Sequence, residues 1–183
     1  MEFIRLDIPD VVEIRPRRFG DARGWFAETF KRSAFEAEGL IGDFPQDNRS
    51  LSRAIGTVRG LHFQLPPFGQ AKLVSVARGA ILDVAVDIRR GSQTFGRHVA
   101  ARLDAESGAM LYVPEGFAHG FCTLEPDTEV IYKVSRPYSA AHERAVFWAD
   151  PALAIDWPAD TGEAVVSEKD TAAPRLDAAP ELF

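Results

Sequence analysis

One cysteine, Cys122, is all the thiol the 183 residues contain. No internal disulfide can form, which excludes a disulfide-framed scaffold and makes a reducing cytoplasm the simplest setting. Positive charge is also scarce: 21 Lys and Arg stand against 27 Asp and Glu, a net charge of -6. A broad basic face for nucleic acid is therefore not expected, although a few clustered Arg and Lys can still hold one phosphorylated small molecule. The opening Met1-Glu2-Phe3-Ile4-Arg5 lacks the apolar run of a signal peptide. No stretch approaches the ~20 apolar residues that cross a bilayer, so no membrane partner is expected. Internal repeats and low-complexity segments are missing, and nothing alternates strand and helix as a parallel α/β sheet requires. What remains is one soluble domain over residues 1–183, 46% hydrophobic and 26% charged, long enough to bury a core.

Strand signals fill the middle of the chain. Lys72 to Ala77 is rich in Leu and Val, Arg78-Gly79 interrupts it, and Ala80 to Arg89 then alternates. Leu82, Val84, Val86 and Ile88 share one face of that second run; Ile81, Asp83, Ala85 and Asp87 share the other. Two such runs about a short Gly turn predict an antiparallel hairpin. Arg97 to Leu103, Ala109 to Val113, Glu129 to Val134 and Ala145 to Trp148 predict four more strands, separated by turn residues at sandwich or barrel spacing. Ser33 is placed to cap a short helix running to Gly39, with Glu36 completing a capping box. The Ala- and Pro-rich residues from about 171 to 183 predict a surface tail. The fold class is all-β, a jelly-roll barrel with a few short peripheral helices.

The sharpest local pattern runs from Gly108 through Pro114 and Gly116 to His119. It resembles the second cupin motif, with Thr123 where that motif has Asn, and implies that His119 follows a turn at a barrel mouth and points inward. The stretch matching the first cupin motif is Gly60-Leu61-His62-Phe63-Gln64, in which Gln64 replaces the second metal-binding His and Phe68-Gly69 stand where the Glu belongs. A transition-metal site needs at least three N, O or S ligands. His62 and His119 fall short of that, and His98 and His142 fit neither motif, so no metal is expected and the imidazoles are left for proton chemistry.

Singly, each polar residue has a plain structural reading. His62 is a hydrogen-bonded barrel histidine, Lys72 a strand-end side chain reaching water, Tyr132 a half-buried strand aromatic, Asp170 the cap of a terminal turn and Arg59 half of a surface ion pair. Their company changes this. Gly24-Trp-Phe-Ala-Glu28, Gln46-Asp-Asn48, Arg59-Gly-Leu-His-Phe-Gln64 and Gln70-Ala-Lys-Leu-Val74 come in order. Val113-Pro-Glu-Gly-Phe-Ala-His-Gly-Phe121, Tyr132-Lys-Val134 and Ser167-Glu-Lys-Asp170 follow. In order and spacing this series, from about Arg23 to Asp170, resembles the dTDP-4-dehydrorhamnose 3,5-epimerases.

The resemblance implies a cytoplasmic, homodimeric jelly-roll enzyme acting on a dTDP-4-dehydro-6-deoxyhexose without metal or cofactor. It implies His62 as base with Asp170 holding its ring, Lys72 beside the enolate oxygen and Tyr132 as acid. Arg23, Arg59 and Lys169 match diphosphate contacts, and Glu28, Gln46, Asn48 and Glu143 match polar contacts to nucleotide or sugar. Phe26 and Tyr138 match the aromatic faces around thymine, and His119 matches a hydrogen-bond donor to the sugar or a phosphate. Enzymes inverting only C3 or only C5 resemble the same pattern, a cupin 3,4-ketoisomerase fits it less well, and a non-catalytic nucleotide-sugar-binding cupin would not need His62, Asp170, Lys72 and Tyr132 together.

Overall fold

The computed structural model describes residues 1–159 and 163–183. Among these, the chain first forms β1 (Glu2–Arg5), β2 (Val12–Arg15), β3 (Arg18–Asp21), β4 (Gly24–Ala27), the helix α1 (Arg32–Ala37), β5 (Gln46–Ser52) and β6 (Val58–Gln64). It continues through β7 (Lys72–Arg78), β8 (Ala80–Asp87), β9 (His98–Asp104), β10 (Met110–Val113), β11 (Phe117–Thr123), β12 (Thr128–Val134) and β13 (Glu143–Ala145) to α2 (Glu168–Thr171). Two antiparallel sheets face each other, one in the order β1-β2-β10-β7-β12-β5 and the other β13-β6-β11-β8-β9, and β3-β4 stands apart as a two-stranded ribbon. This is the all-β jelly roll expected from the strand spacing.

Alternation explains which side chains meet between the sheets. Val74 and Val76 of β7, Ile81 and Ala85 of β8, Leu111 and Val113 of β10, Phe117 and Phe121 of β11 and Val130 of β12 form one buried cluster. Each fully buried aliphatic side chain of this kind contributes about 1.5–3 kcal/mol. Along the same inward rows apolar residues give way to Lys72, Asp83, His119 and Tyr132, and that change creates the site. β8 and β11 are buried on both faces because a second layer covers them. Leu61, Val84, Val86 and Ile88 pack outward against Val146, Leu153 and Leu176 from the last third of the chain.

The expected hairpin of β7 and β8 does not form. β7 pairs with β10 and β12, β8 pairs with β9 and β11, and the single residue between them, Gly79, carries the chain from one sheet to the other. Its φ of +78° and the Thr128 side chain against its Cβ position suit only glycine. α1 occurs where expected, but Ser33 does not cap it: Lys31 occupies the N-cap with no side-chain hydrogen bond. The helix is held instead by the fully buried Phe35, whose ring lies 5.4 Å from that of Phe3 and 4.9 Å from that of Phe30. The strand expected at Ala145 to Trp148 lies earlier, at Glu143–Ala145, since Phe147 turns its amide to the Pro174 carbonyl. The final segment crosses the surface but is anchored, with Leu176 and Ala179 buried and Phe183 accepting a hydrogen bond from the Arg90 amide.

Candidate active site

β6 and β11 bring His62 and His119 side by side, as directly paired residues of neighbouring strands. The strands close here because Gly60 and Gly120 lack side chains: a Cβ on Gly60 would lie 2.5 Å from Gly120 Cα and 2.8 Å from the His119 carbonyl oxygen. Gly60 has φ of +133°, and the register shifts between His119 and Phe121. The Gly60 amide donates to Asp170 Oδ2 at 3.3 Å, while Asp170 Oδ1 lies 2.6 Å from His62 Nε2. α2 delivers this carboxylate from far along the chain, and Ser167 caps α2 by accepting from the Asp170 amide at 3.2 Å. Burial pushes the Asp170 carboxyl up, but the hydrogen bond and charge of His62 and the Gly60 amide outweigh it and hold the group below its usual value.

From the facing sheet, Lys72 donates to the His62 carbonyl oxygen at 3.1 Å. Burial lowers its ammonium to about 8, against the pull of the Asp83 and Glu143 carboxylates. Tyr132 reaches in from β12, next to β7, and burial raises its phenol above the usual value, with Arg59 opposing. His119 is 6% exposed and places Nε2 2.8 Å from Asp83 Oδ1. Burial keeps its imidazolium disfavoured despite Asp83, and the charges of Lys72 and His62 add to that.

These side chains line a cavity of about 520 Å³, roomy enough for a sugar and part of a nucleotide. Arg59 and Lys169 also line it, and an adjoining recess of about 130 Å³ that shares Tyr132 and Glu143 is lined by Gln46, Asn48 and Tyr138. At the rim Glu143 accepts from the Tyr138 hydroxyl at 2.8 Å and pairs with Lys169 Nζ at 2.6 Å. Arg59 is steadied by Ser52 Oγ at 3.1 Å, and Gln46 holds Asn48 Oδ1 at 2.8 Å. Gln64, where a metal-binding cupin has its second His, spends its amide on the chain itself: it donates to Phe68 O and accepts from Ser139 N, both at 2.7 Å.

A family model described as dTDP-4-dehydrorhamnose 3,5-epimerase matches residues 5–178 of the chain. The chain belongs to the dTDP-4-dehydrorhamnose 3,5-epimerase family. A dTDP-4-dehydrorhamnose 3,5-epimerase of Sinorhizobium fredii is 54% identical over 183 residues, spanning 100% of this chain and 93% of its own. The Bacillus anthracis dTDP-4-dehydrorhamnose 3,5-epimerase, solved with TDP and PPi bound, superposes with a TM-score of 0.91 at 45% identity, covering 95% of this chain and 98% of that one. The Legionella pneumophila dTDP-6-deoxy-D-glucose-3,5-epimerase, solved in complex with dTDP-4-keto-L-rhamnose, gives a TM-score of 0.91 at 41% identity, covering 97% and 93%.

In this member of the epimerase family, eleven of the residues singled out in the sequence line one or other of the two adjoining cavities: His62, Asp170, Tyr132, Lys72, Gln46, Asn48, Arg59, His119, Tyr138, Glu143 and Lys169. Arg23, Phe26 and Glu28 do not. They lie on or just after the β3-β4 ribbon, where Arg23 pairs with Asp21 and Phe26 is 70% exposed. His142, matching neither cupin motif, stacks on Phe68 at 4.5 Å. Sequence reading passed over Asp83, whose inward position in β8 was visible only as one of two acidic residues in an alternating row. It also passed over Ser50, a residue lining the cavity whose buried hydroxyl has no hydrogen-bond partner among the described residues.

Proposed function

We propose that the chain inverts C3 and C5 of dTDP-4-dehydro-6-deoxy-D-glucose to give dTDP-4-dehydro-L-rhamnose, as an isomerase of dTDP-rhamnose biosynthesis in the cytoplasm. The observation that carries this reading is that His62 and Tyr132 enter one cavity from opposite sheets of the sandwich. Inversion at carbon needs a base on one face of the sugar and an acid on the other, and one sheet supplies each.

The C4 ketone acidifies the hydrogens on C3 and C5. His62 takes one of them, and Asp170 stabilises the imidazolium that results. The enolate oxygen meets the Lys72 ammonium in a site shielded from water, where the attraction is far stronger than in bulk solvent. Tyr132 returns a proton from the other face, its raised pKa keeping the phenol protonated until it is used. Arg59 and Lys169 hold the diphosphate, Gln46, Asn48 and Glu143 hold the sugar or nucleoside, and Tyr138 stacks on thymine.

The exposed ribbon completes the site by homodimerisation in this reading. Trp25 is 59% exposed and Phe26 70%, an apolar surface that a second copy would cover while Arg23, Phe26 and Glu28 reach that copy's nucleotide. Sedimentation should give a dimer, and a fully active monomer would count against it. Incubation of dTDP-4-dehydro-6-deoxyglucose in deuterated buffer tests the reaction. The full enzyme labels both C3 and C5, a single-site enzyme labels one, and a binding module labels neither.

A further inference from the structure

Asp83 is wholly buried in the barrel interior, yet only one of its carboxylate oxygens is used: Oδ1 lies 2.8 Å from His119 Nε2, while Oδ2 has no hydrogen-bond partner among the described residues. A carboxylate left half satisfied in a closed core is costly, and such a group persists where its charge serves something else. Lys72 is a cation that feels the Asp83 charge, and Arg59, His62, His119, Tyr132, Glu143, Lys169 and Asp170 are the other ionisable groups lining the cavity.

A carboxylate accepts, so His119 Nε2 must carry its hydrogen. The ring is then either a cation or the tautomer with Nδ1 bare. Burial, with Lys72 and His62 alongside, favours the neutral form. Because Nε2 is taken, Nδ1 is the ring nitrogen left to meet a ligand in the cavity that His119 lines. The role of hydrogen-bond donor expected from the sequence is thereby reversed: a bare Nδ1 accepts. Next to His62, the partner it suits is a hydroxyl of the sugar rather than a phosphate oxygen, which has no hydrogen to give.

We propose that Asp83 is a positioning residue of the epimerisation, fixing His119 as an acceptor for a sugar hydroxyl beside the reacting carbons and supplying the counter-charge that keeps Lys72 an ammonium at the ketone oxygen. This rests on the reading of the cavity as the site of enolate formation. Asp83 touches no reacting atom itself; it acts through the ring on one side and the field on the other. Its loss leaves the nucleotide contacts at the rim intact and weakens only what happens at the sugar.

The test is Asp83→Asn, compared with the unaltered chain in kcat and KM for dTDP-4-dehydro-6-deoxyglucose across pH 6 to 9.5, with dTDP binding measured separately. The variant should bind dTDP with unchanged affinity and lose about tenfold or more in kcat, less than the ~10⁴-fold lost when the carboxylate behind a catalytic base is replaced by an amide, because His119 is not the base. Its alkaline limb should move to lower pH, since Lys72 without Asp83 gives up its proton more readily. A substitution that merely loosened the core would lower the melting temperature without moving that limb. Unchanged kcat with an unchanged limb would overturn the proposal. Nitrogen-15 spectra of histidine-labelled, unaltered protein supply an arm that does not depend on the variant folding. His119 should appear as the neutral Nε2–H tautomer, and an Nδ1–H signal would overturn the proposal. Failure of the unaltered chain to turn over the sugar would instead refute the reaction assigned above, leaving the tautomer measurement valid.

Discussion

Replacing Tyr132 by Phe deletes one oxygen and should separate proton removal from inversion. The ring packs against the inter-sheet core, and none of the described residues takes a hydrogen bond from its hydroxyl, which faces the cavity. Removing that hydroxyl breaks no internal bond and opens no void in the apolar layer. Stability should change by no more than about 0.5 kcal/mol, and the melting temperature by about 2 °C or less. Catalysis is another matter. Losing a positioned general acid costs roughly 100- to 10,000-fold in rate, or about 2.7–5.5 kcal/mol of barrier. His62 and Asp170 remain paired at 2.6 Å, so hydrogen can still leave carbon. In deuterated buffer, proton NMR of the sugar should then show deuterium entering by way of His62 itself, with rhamno product forming far more slowly. Water in the cavity can partly replace the phenol, so strong slowing is expected rather than silence. Unimpaired inversion in a folded Tyr132→Phe variant would refute the assignment of the acid.

His62→Ala should lose roughly 100- to 10,000-fold in exchange at both carbons while dTDP titration is unchanged, and near-normal exchange would reject His62 as the base. Lys72→Met should be inactive and more stable. The folded ammonium sits near 8, below its ordinary value of 10.5, so at neutral pH its burial costs on the order of 3 kcal/mol, a cost that vanishes as pH rises from 8 past 10.5. The variant should therefore melt several degrees higher at pH 7 and show little advantage above pH 10.5; equal melting temperatures at pH 7 would contradict this. Gly60→Ala should destabilise by at least about 3 kcal/mol or prevent folding, because its Cβ would sit 2.5 Å from Gly120 Cα and its φ is +133°. Denaturant titration at native stability would refute that contact.

Alternation along β9 and β12 made those strands legible, since a strand buried on one face writes its orientation into every second residue. β7 and β8 show where this stops: period two says which residues share a face, not which sheet the face belongs to. Gly79 read as a hairpin turn because a one-residue reversal within a sheet and a corner between sheets demand the same backbone freedom. The capping pattern at Ser33 failed for a related reason, as Phe35 found aromatic partners from distant segments and tertiary packing set the helix start. No strand is assigned from the sequence within residues 2 to 52, where β1, β3, β4 and β5 lie mainly in exposed or half-exposed surface and hydrophobic patterning is weak.

By itself the sequence determined the jelly-roll class, the family and the residue types available for proton chemistry, because local periodicity and motif spacing are properties of neighbouring residues. Only the tertiary structure decided how those groups work on one another. It closed β6 on β11 through two glycines, carried Asp170 across 108 residues to His62, and set Tyr132 in the sheet opposite. It also turned Asp83 from one position in an alternating row into a buried charge behind His119. Burial, tautomer and pKa depend on what surrounds a group in three dimensions, and most of those surroundings come from elsewhere in the chain.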